Sequence, residues 1–206
     1  MKEYKIIGKK YPLLVMDNFY TNQEHKEIWH EIDGYRLNKN LWDSKLDDSN
    51  RAKDATGRVL VRNSRIYLDR MYLPDYRQTS FILTYYKKIM SEPLFKVYEK
   101  MCPASRNIRE VNKDYTMISY YEDGDKYEFH KDRSTHTALW WTYKKPKSFA
   151  GGDVAFKDEN VTIECKDNRM VLFPSFYLHA SKPVKLKHNK NVCGKYTVSH
   201  FFNINI

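Results

Sequence analysis

Three side chains in the second half of this 206-residue chain are of types that could hold a metal ion. His130 and Asp132 stand two apart in EFHKDR, and His179 follows in FPSFYLHASKPV. In an extended strand, residues i and i+2 point to the same face, so one imidazole and one carboxylate can converge on a point. A second imidazole arriving from a neighbouring strand would complete a two-histidine, one-carboxylate set. That set suits non-haem Fe(II) and leaves positions open for substrate and O₂. By themselves these three residues read first as ordinary surface or core side chains, since the chain carries seven histidines in all. A zinc hydrolase with the same ligands is formally open too.

The elements that must position them read as two halves. Leu13-Leu14-Val15-Met16 is a short buried strand closed by Asp17-Asn18. Thr21, with Glu24 three residues on, forms a capping box for a helix from Asn22 to about Asp33, with Ile28 and Ile32 on one face. Residues 36–65 are rich in charge, Asn and Asp, the profile of a long loop and a candidate lid. From Pro74 to Met101 the apolar spacing is helical. After Asn112 the period becomes that of strands, in short runs at Tyr115–Tyr121, Leu139–Tyr143, Val154–Phe156, Val161–Glu164, Met170–Phe173 and Thr197–Asn203. Helices first and strands after predict an α+β domain whose strands form a sandwich or barrel of jelly-roll type. No linker or repeat divides the chain.

Composition limits the alternatives. Aromatic residues make up 15% of the chain, against general disorder, and no apolar run reaches the ~20 residues that span a bilayer. The start, MKEYKIIGKKYPLLV, does not read as a signal peptide, so a cytoplasmic protein is expected. Cys102, Cys165 and Cys193 share no CxxC spacing, so neither a disulfide framework nor a structural zinc site is expected. A net charge of +10 favours an anionic partner, yet no basic run is interleaved with aromatics as a nucleic-acid groove requires.

With these motifs in order, the chain resembles the Fe(II)/2-oxoglutarate-dependent dioxygenases, and within them the prolyl 4-hydroxylase-like branch. The resemblance rests on Tyr121, Gly124 and Tyr127 ahead of His130 and Asp132, and on Gly151-Gly152 before an apolar strand. It continues in Phe173-Pro174 leading to His179, and in Lys195 opening K-Y-T-V-S. It covers nearly the whole chain and is tightest over 117–203. It implies a double-stranded β-helix (jelly roll) core at about 112–206, supported by helices at about 20–101, in one domain spanning 1–206.

The resemblance further implies that His130, Asp132 and His179 hold Fe(II) and that no catalytic residue is needed beyond them. Lys195 would bind the distal carboxylate of the cosubstrate 2-oxoglutarate, and Tyr121 would line its pocket. O₂ is consumed, succinate and CO₂ are released, and an unactivated C–H bond is hydroxylated; ascorbate is compatible as an addition. Relatives that halogenate replace the carboxylate ligand with a small residue, so Asp132 argues for hydroxylation. Alternation turns Thr197 and Ser199 to the side of Lys195. The spacing from His179 to Lys195, 16 residues, exceeds the family's usual ten or so, and the excess in KLKHNKNVCG reads as an enlarged hairpin loop. Lys185 and Lys187 are the competing cations. Trp141 and Tyr143 share one face of their strand and Trp140 the other, and one face lines the pocket. His25, His30, His136, His188 and His200 are read as non-ligands. The substrate implied first is a prolyl residue in a peptide or protein, next a free amino acid or other small metabolite. Nucleic-acid demethylation ranks below these, because no second Arg follows Lys195, and so does a non-catalytic jelly-roll binding protein.

Overall fold

The computed structural model describes residues 4–43, 51–187 and 193–205. Two antiparallel sheets form its centre. The larger has seven strands in the order β1 (Tyr4–Ile7), β2 (Leu13–Met16), β11 (Arg169–Pro174), β7 (His136–Thr142), β14 (Lys195–Asn203), β5 (Lys113–Tyr121) and β4 (Ser64–Tyr67). The smaller runs β10 (Val161–Ile163), β9 (Val154–Phe156), β12 (His179–Ser181), β6 (Lys126–His130) and β3 (Val61–Arg62). A third ladder pairs β8 (Phe149–Gly151) with β13 (Val184–Leu186). This is the jelly-roll, α+β arrangement that the strand pattern predicts.

Alternation along the large sheet separates two cores. Leu14, Ala138, Trp140, Met170, Leu172, Tyr196 and Val198 face one way and pack on the helices. Leu13, Val15, Leu139, Trp141, Val171 and Phe173 face the other and fill the space between the sheets. Strands covered on both faces read as continuous apolar runs rather than as alternation. At about 25 cal/mol per Å² of apolar area, each such Leu, Val or Phe contributes roughly 1.5–3 kcal/mol.

The helical support matches its signals. Helix α1 (Asn22–Leu37) starts at Thr21 with both halves of the capping box formed, and buries Ile28, Ile32 and Tyr35. A single turn, α2 (Leu68–Met71), follows β4, and the segment after Pro74 is broken into α3 (Phe81–Tyr85), α4 (Glu92–Tyr98) and 3₁₀ turns at 74–79, 86–90 and 103–110. Ser80 caps α3 through Leu83 N, and Pro93 sits in the first turn of α4.

The 36–65 segment differs from a free loop. Arg51 is buried, and its guanidinium donates to the carbonyls of Val61 and Asn63. Residues 61–67 then cross from one sheet to the other: β3 pairs with β6, and β4 with β5. Few apolar residues are needed there because the backbone ladders and one buried arginine supply the attachment. The remainder of the lid expectation, 44–50, lies outside the described residues, as does the middle of the loop before Lys195, including His188.

Candidate active site

His130 is the last residue of β6 and His179 the first of β12, and the two are register partners across the ladder. Their rings lie 4.3 Å apart. Asp132 falls just past the end of β6 rather than on it, and its backbone N–H donates to Ser175 O at 3.0 Å. The carboxylate nevertheless returns to the histidines: Oδ1 is 3.4 Å from His130 Nε2 and Oδ2 is 3.5 Å from His179 Nε2. Candidate ligand atoms of the three residues all lie within 4.8 Å of one another, the one such group among the described residues.

Each side chain is held from behind. Nδ1 of His130 is 2.8 Å from Glu128 O, and Nδ1 of His179 is 2.8 Å from Tyr177 O. A carbonyl there requires a proton on Nδ1, which leaves the lone pair on Nε2, facing the carboxylate. Burial pushes the His179 imidazole down to about 4, so it is neutral at pH 7. Burial works against the Asp132 carboxylate, but its polar contacts, the hydrogen bond from the Thr137 hydroxyl among them, outweigh burial and hold it below the usual carboxylate range. Thr137 Oγ1 donates to Asp132 Oδ2 at 2.7 Å and lies 2.8 Å from Ser175 Oγ, which is 2.7 Å from Ser134 Oγ. Two neutral imidazoles and one carboxylate give a net charge of −1 and fit a divalent ion, which would relieve three converging buried acceptors.

The same cavity is walled by β5, β7 and β14, with Ser119, Tyr121, Trp141, Lys195, Thr197 and Ser199 among its lining residues. Lys195 is fully buried, and Nζ donates to Gly152 O and Ser181 Oγ, each at 2.7 Å. Burial lowers its ammonium from 10.5 to about 8. Nζ also lies 4.3 Å from the centre of the Tyr121 ring, its register partner. No carboxylate faces Nζ within ion-pair distance among the described residues, so the pocket presents a buried cation to an anionic guest. Lys185 and Lys187 are exposed.

The Gly-Gly pair has a steric reason. Gly152 has φ +73°, and a Cβ there would stand 3.1 Å from Lys195 Cδ and 3.2 Å from Val184 Cγ2. At Gly151 a Cβ would collide with Pro183 O at 2.1 Å. Only glycine lets this backbone close over the lysine.

Trp141, not Trp140, faces the cavity, while Tyr143 packs against Phe149. Tyr127, Ser181 and Thr137 belong to the site although no signal singled out their roles. Tyr127 stacks on His130 with ring centroids 3.4 Å apart. The other histidines stand apart. His25 contacts Thr142 and Asp167, His136 contacts Tyr98 and Asn107, and His200 contacts Thr116. His30 is exposed. The three cysteines are free and separate. No helix among the described residues is long and apolar enough to cross a membrane.

Comparison with known proteins agrees with this geometry. Residues 116–203 match the family model of the 2OG-Fe(II) oxygenase superfamily. No curated protein matches the chain by sequence. Among solved structures, it is similar to a prolyl hydroxylase from Trichoplax adhaerens in complex with a hypoxia inducible factor oxygen degradation domain peptide fragment. That match has TM-score 0.61 and 15% identity, covering 93% of this chain and 83% of the other. A Pseudomonas putida prolyl-4-hydroxylase matches with TM-score 0.60 and 13% identity, over 96% and 95% of the two chains. The viral collagen prolyl hydroxylase of Paramecium Bursaria Chlorella virus-1, in its 2OG complex, matches with TM-score 0.55 and 15% identity, over 94% and 95%.

Proposed function

We propose that the chain, whose residues 116–203 match the 2OG-Fe(II) oxygenase superfamily, is a 2-oxoglutarate-dependent dioxygenase that hydroxylates a prolyl residue in a peptide or protein. In this reading the whole chain acts as a single domain, its helices backing the jelly roll. The observation that carries the reading is one cavity lined both by the His130–Asp132–His179 cluster and by the buried ammonium of Lys195.

The three clustered residues would hold Fe(II), through Nε2 of each histidine and a carboxylate oxygen of Asp132. When bound, Fe(II) with 2-oxoglutarate and O₂ supplies the oxidative decarboxylation to succinate and CO₂ that drives hydroxylation of a C–H bond. The chain's own work is positional. Glu128 O and Tyr177 O fix the imidazole tautomers, Thr137 aims the carboxylate, Lys195 binds the distal carboxylate of 2-oxoglutarate, and Tyr121 shields that contact from water. A charge-assisted bond in this dry setting is stronger than it would be at the surface. The peptidyl-proline assignment draws support from the fold shared with prolyl hydroxylases, one of them holding a peptide.

The test is succinate release from iron-loaded protein with proline-containing peptides, free amino acids and methylated oligonucleotides in parallel. Stimulation by peptides that disappears in Asp132→Ala is expected. Stimulation by free amino acids alone would move the substrate to a small metabolite, and turnover retained in Asp132→Ala would remove the metal assignment.

A further inference from the structure

Past the cavity the large sheet continues as a half-exposed aromatic ledge. Met117 and Phe201 line the cavity and are half-buried. One strand further out, Tyr67 on β4 is the register partner of Met117, and Tyr115 on β5 is that of Phe201. Tyr115 stands two residues before Met117 on the same face of β5 and is 43% exposed. Tyr67 is half-buried.

Each outer ring carries a cation. Arg70 Cζ lies 4.3 Å from the centre of the Tyr67 ring, and Lys113 Nζ lies 5.2 Å from that of Tyr115. Both cations are exposed, and neither has a carboxylate within ion-pair distance among the described residues. The acids next to them in the chain are committed elsewhere, since Asp69 and Asp114 both pair with Arg77. On β5, Asp114 alternates to the side of Ile118 and the helices, whereas Lys113 shares the face of Tyr115 and Met117. One guanidinium thus neutralises both adjoining acids and leaves the ledge positive. Elsewhere Arg62, Arg109 and Arg169 each have an acidic partner.

The ledge has the length to take a few residues of extended chain. From Phe201 on β14 to Tyr67 on β4 is two strand spacings, about 10 Å, or about three residues at ~3.3 Å each. A peptide whose target residue reaches the metal cluster can lay its next residues there. A carboxylate among them would meet Arg70 and Lys113, while a basic side chain would meet like charge.

Resting on the proposed peptide substrate, we propose that Arg70 and Lys113, seated on Tyr67 and Tyr115, form a subsite for an acidic side chain roughly two to four residues from the hydroxylated one. The two cations select among peptides. They belong neither to the metal cluster nor to the pocket around Lys195.

The experiment measures succinate release from iron-loaded protein with peptides of one central proline, carrying Glu, Gln or Lys at each flanking position in turn. Glu should raise kcat/KM about three- to tenfold over Gln at one or two positions on one side of the proline, and added salt should erode the gain. The preference should shrink in Arg70→Gln and in Lys113→Gln through KM rather than kcat. It should turn toward Lys in the double variant Arg70→Glu, Lys113→Glu, a gain that misfolding cannot mimic. Peptides hydroxylated by the wild type without distinction between Glu, Gln and Lys would overturn the subsite and leave the hydroxylase reading standing. A preference for Glu that survives both single variants would do the same. Turnover of free amino acids but of no peptide would overturn the peptide reading, and the subsite with it.

Discussion

His130 and His179 are directly paired across two antiparallel strands, and each fixes its own ring by bonding Nδ1 to the carbonyl two residues earlier, at 2.8 Å in both cases. The same local device on both strands turns both Nε2 atoms toward Asp132 before any metal arrives. Such preorganisation lowers the entropy that binding must overcome. Three predictions follow from contacts around this pair and around Lys195, and a fourth from the cap of α1.

Replacing Thr137 by Val removes the donor to Asp132 Oδ2 but keeps the shape of the side chain. Metal affinity should drop roughly 10- to 100-fold, as for other outer partners of metal ligands. Titration of the apoprotein with Fe(II) or a spectroscopic substitute measures it. An unchanged affinity would show that the two imidazoles alone orient the carboxylate.

Lys195 should make both stability and cosubstrate binding depend on pH. Its ammonium is lowered by burial from 10.5 to about 8, so between those values the unfolded chain binds more protons than the folded one. Stability therefore rises with pH across that window, and the charged lysine costs the cosubstrate-free protein on the order of 3 kcal/mol below it. The stability difference between wild type and Lys195→Met, followed by denaturant unfolding from pH 7 to 10.5, should change by about that amount. Binding of 2-oxoglutarate needs the charged form, so its affinity should decline above about pH 8. A flat profile in both measurements would place the cosubstrate contact elsewhere.

Gly152→Ala puts a methyl group against Lys195 Cδ and Val184 Cγ2 at a positive φ. Overpacking and backbone strain together should cost about 1–3 kcal/mol and raise the 2-oxoglutarate requirement, with little effect on metal binding. Thermal melts and cosubstrate titrations separate the two effects. An alanine variant with wild-type melting and cosubstrate affinity would mean that the glycines are not required by the lysine.

Thr21→Ala deletes the side-chain acceptor of the capping box at the start of α1. The loss should be about 1 kcal/mol of stability, with turnover per folded molecule unchanged. A fall in turnover at full folding would show that α1 does more than back the large sheet.

Local chemistry made much of this protein legible from its sequence. The capping box at Thr21 and Glu24 needs only neighbours in the chain, and helix α1 begins where it predicts. The alternation of β14 is equally local, so Lys195, Thr197 and Ser199 share a face as expected. The order of the H-x-D pair, the Gly-Gly pair, Phe-Pro and the second histidine pointed to the superfamily that residues 116–203 match.

Other features depend on which strands meet. Strands β3 and β4 were hidden in a charged segment because their attachment comes from ladders with β6 and β5 and from buried Arg51, none of which leaves an apolar pattern. Tyr127 lies three residues before His130, a spacing that a regular strand would send to opposite faces. A register shift between β6 and β12, pairing His179 with His130 but Ser181 with Tyr127, inserts the extra residue that brings both rings to the cavity. Trp141 rather than Trp140 faces inward because the helices cover the other side of β7. The sequence determined which side chains are available and how they alternate, since both are properties of a few consecutive residues. Register, bulge and the choice of inner face are set by distant strands and helices, and only the tertiary structure decided those.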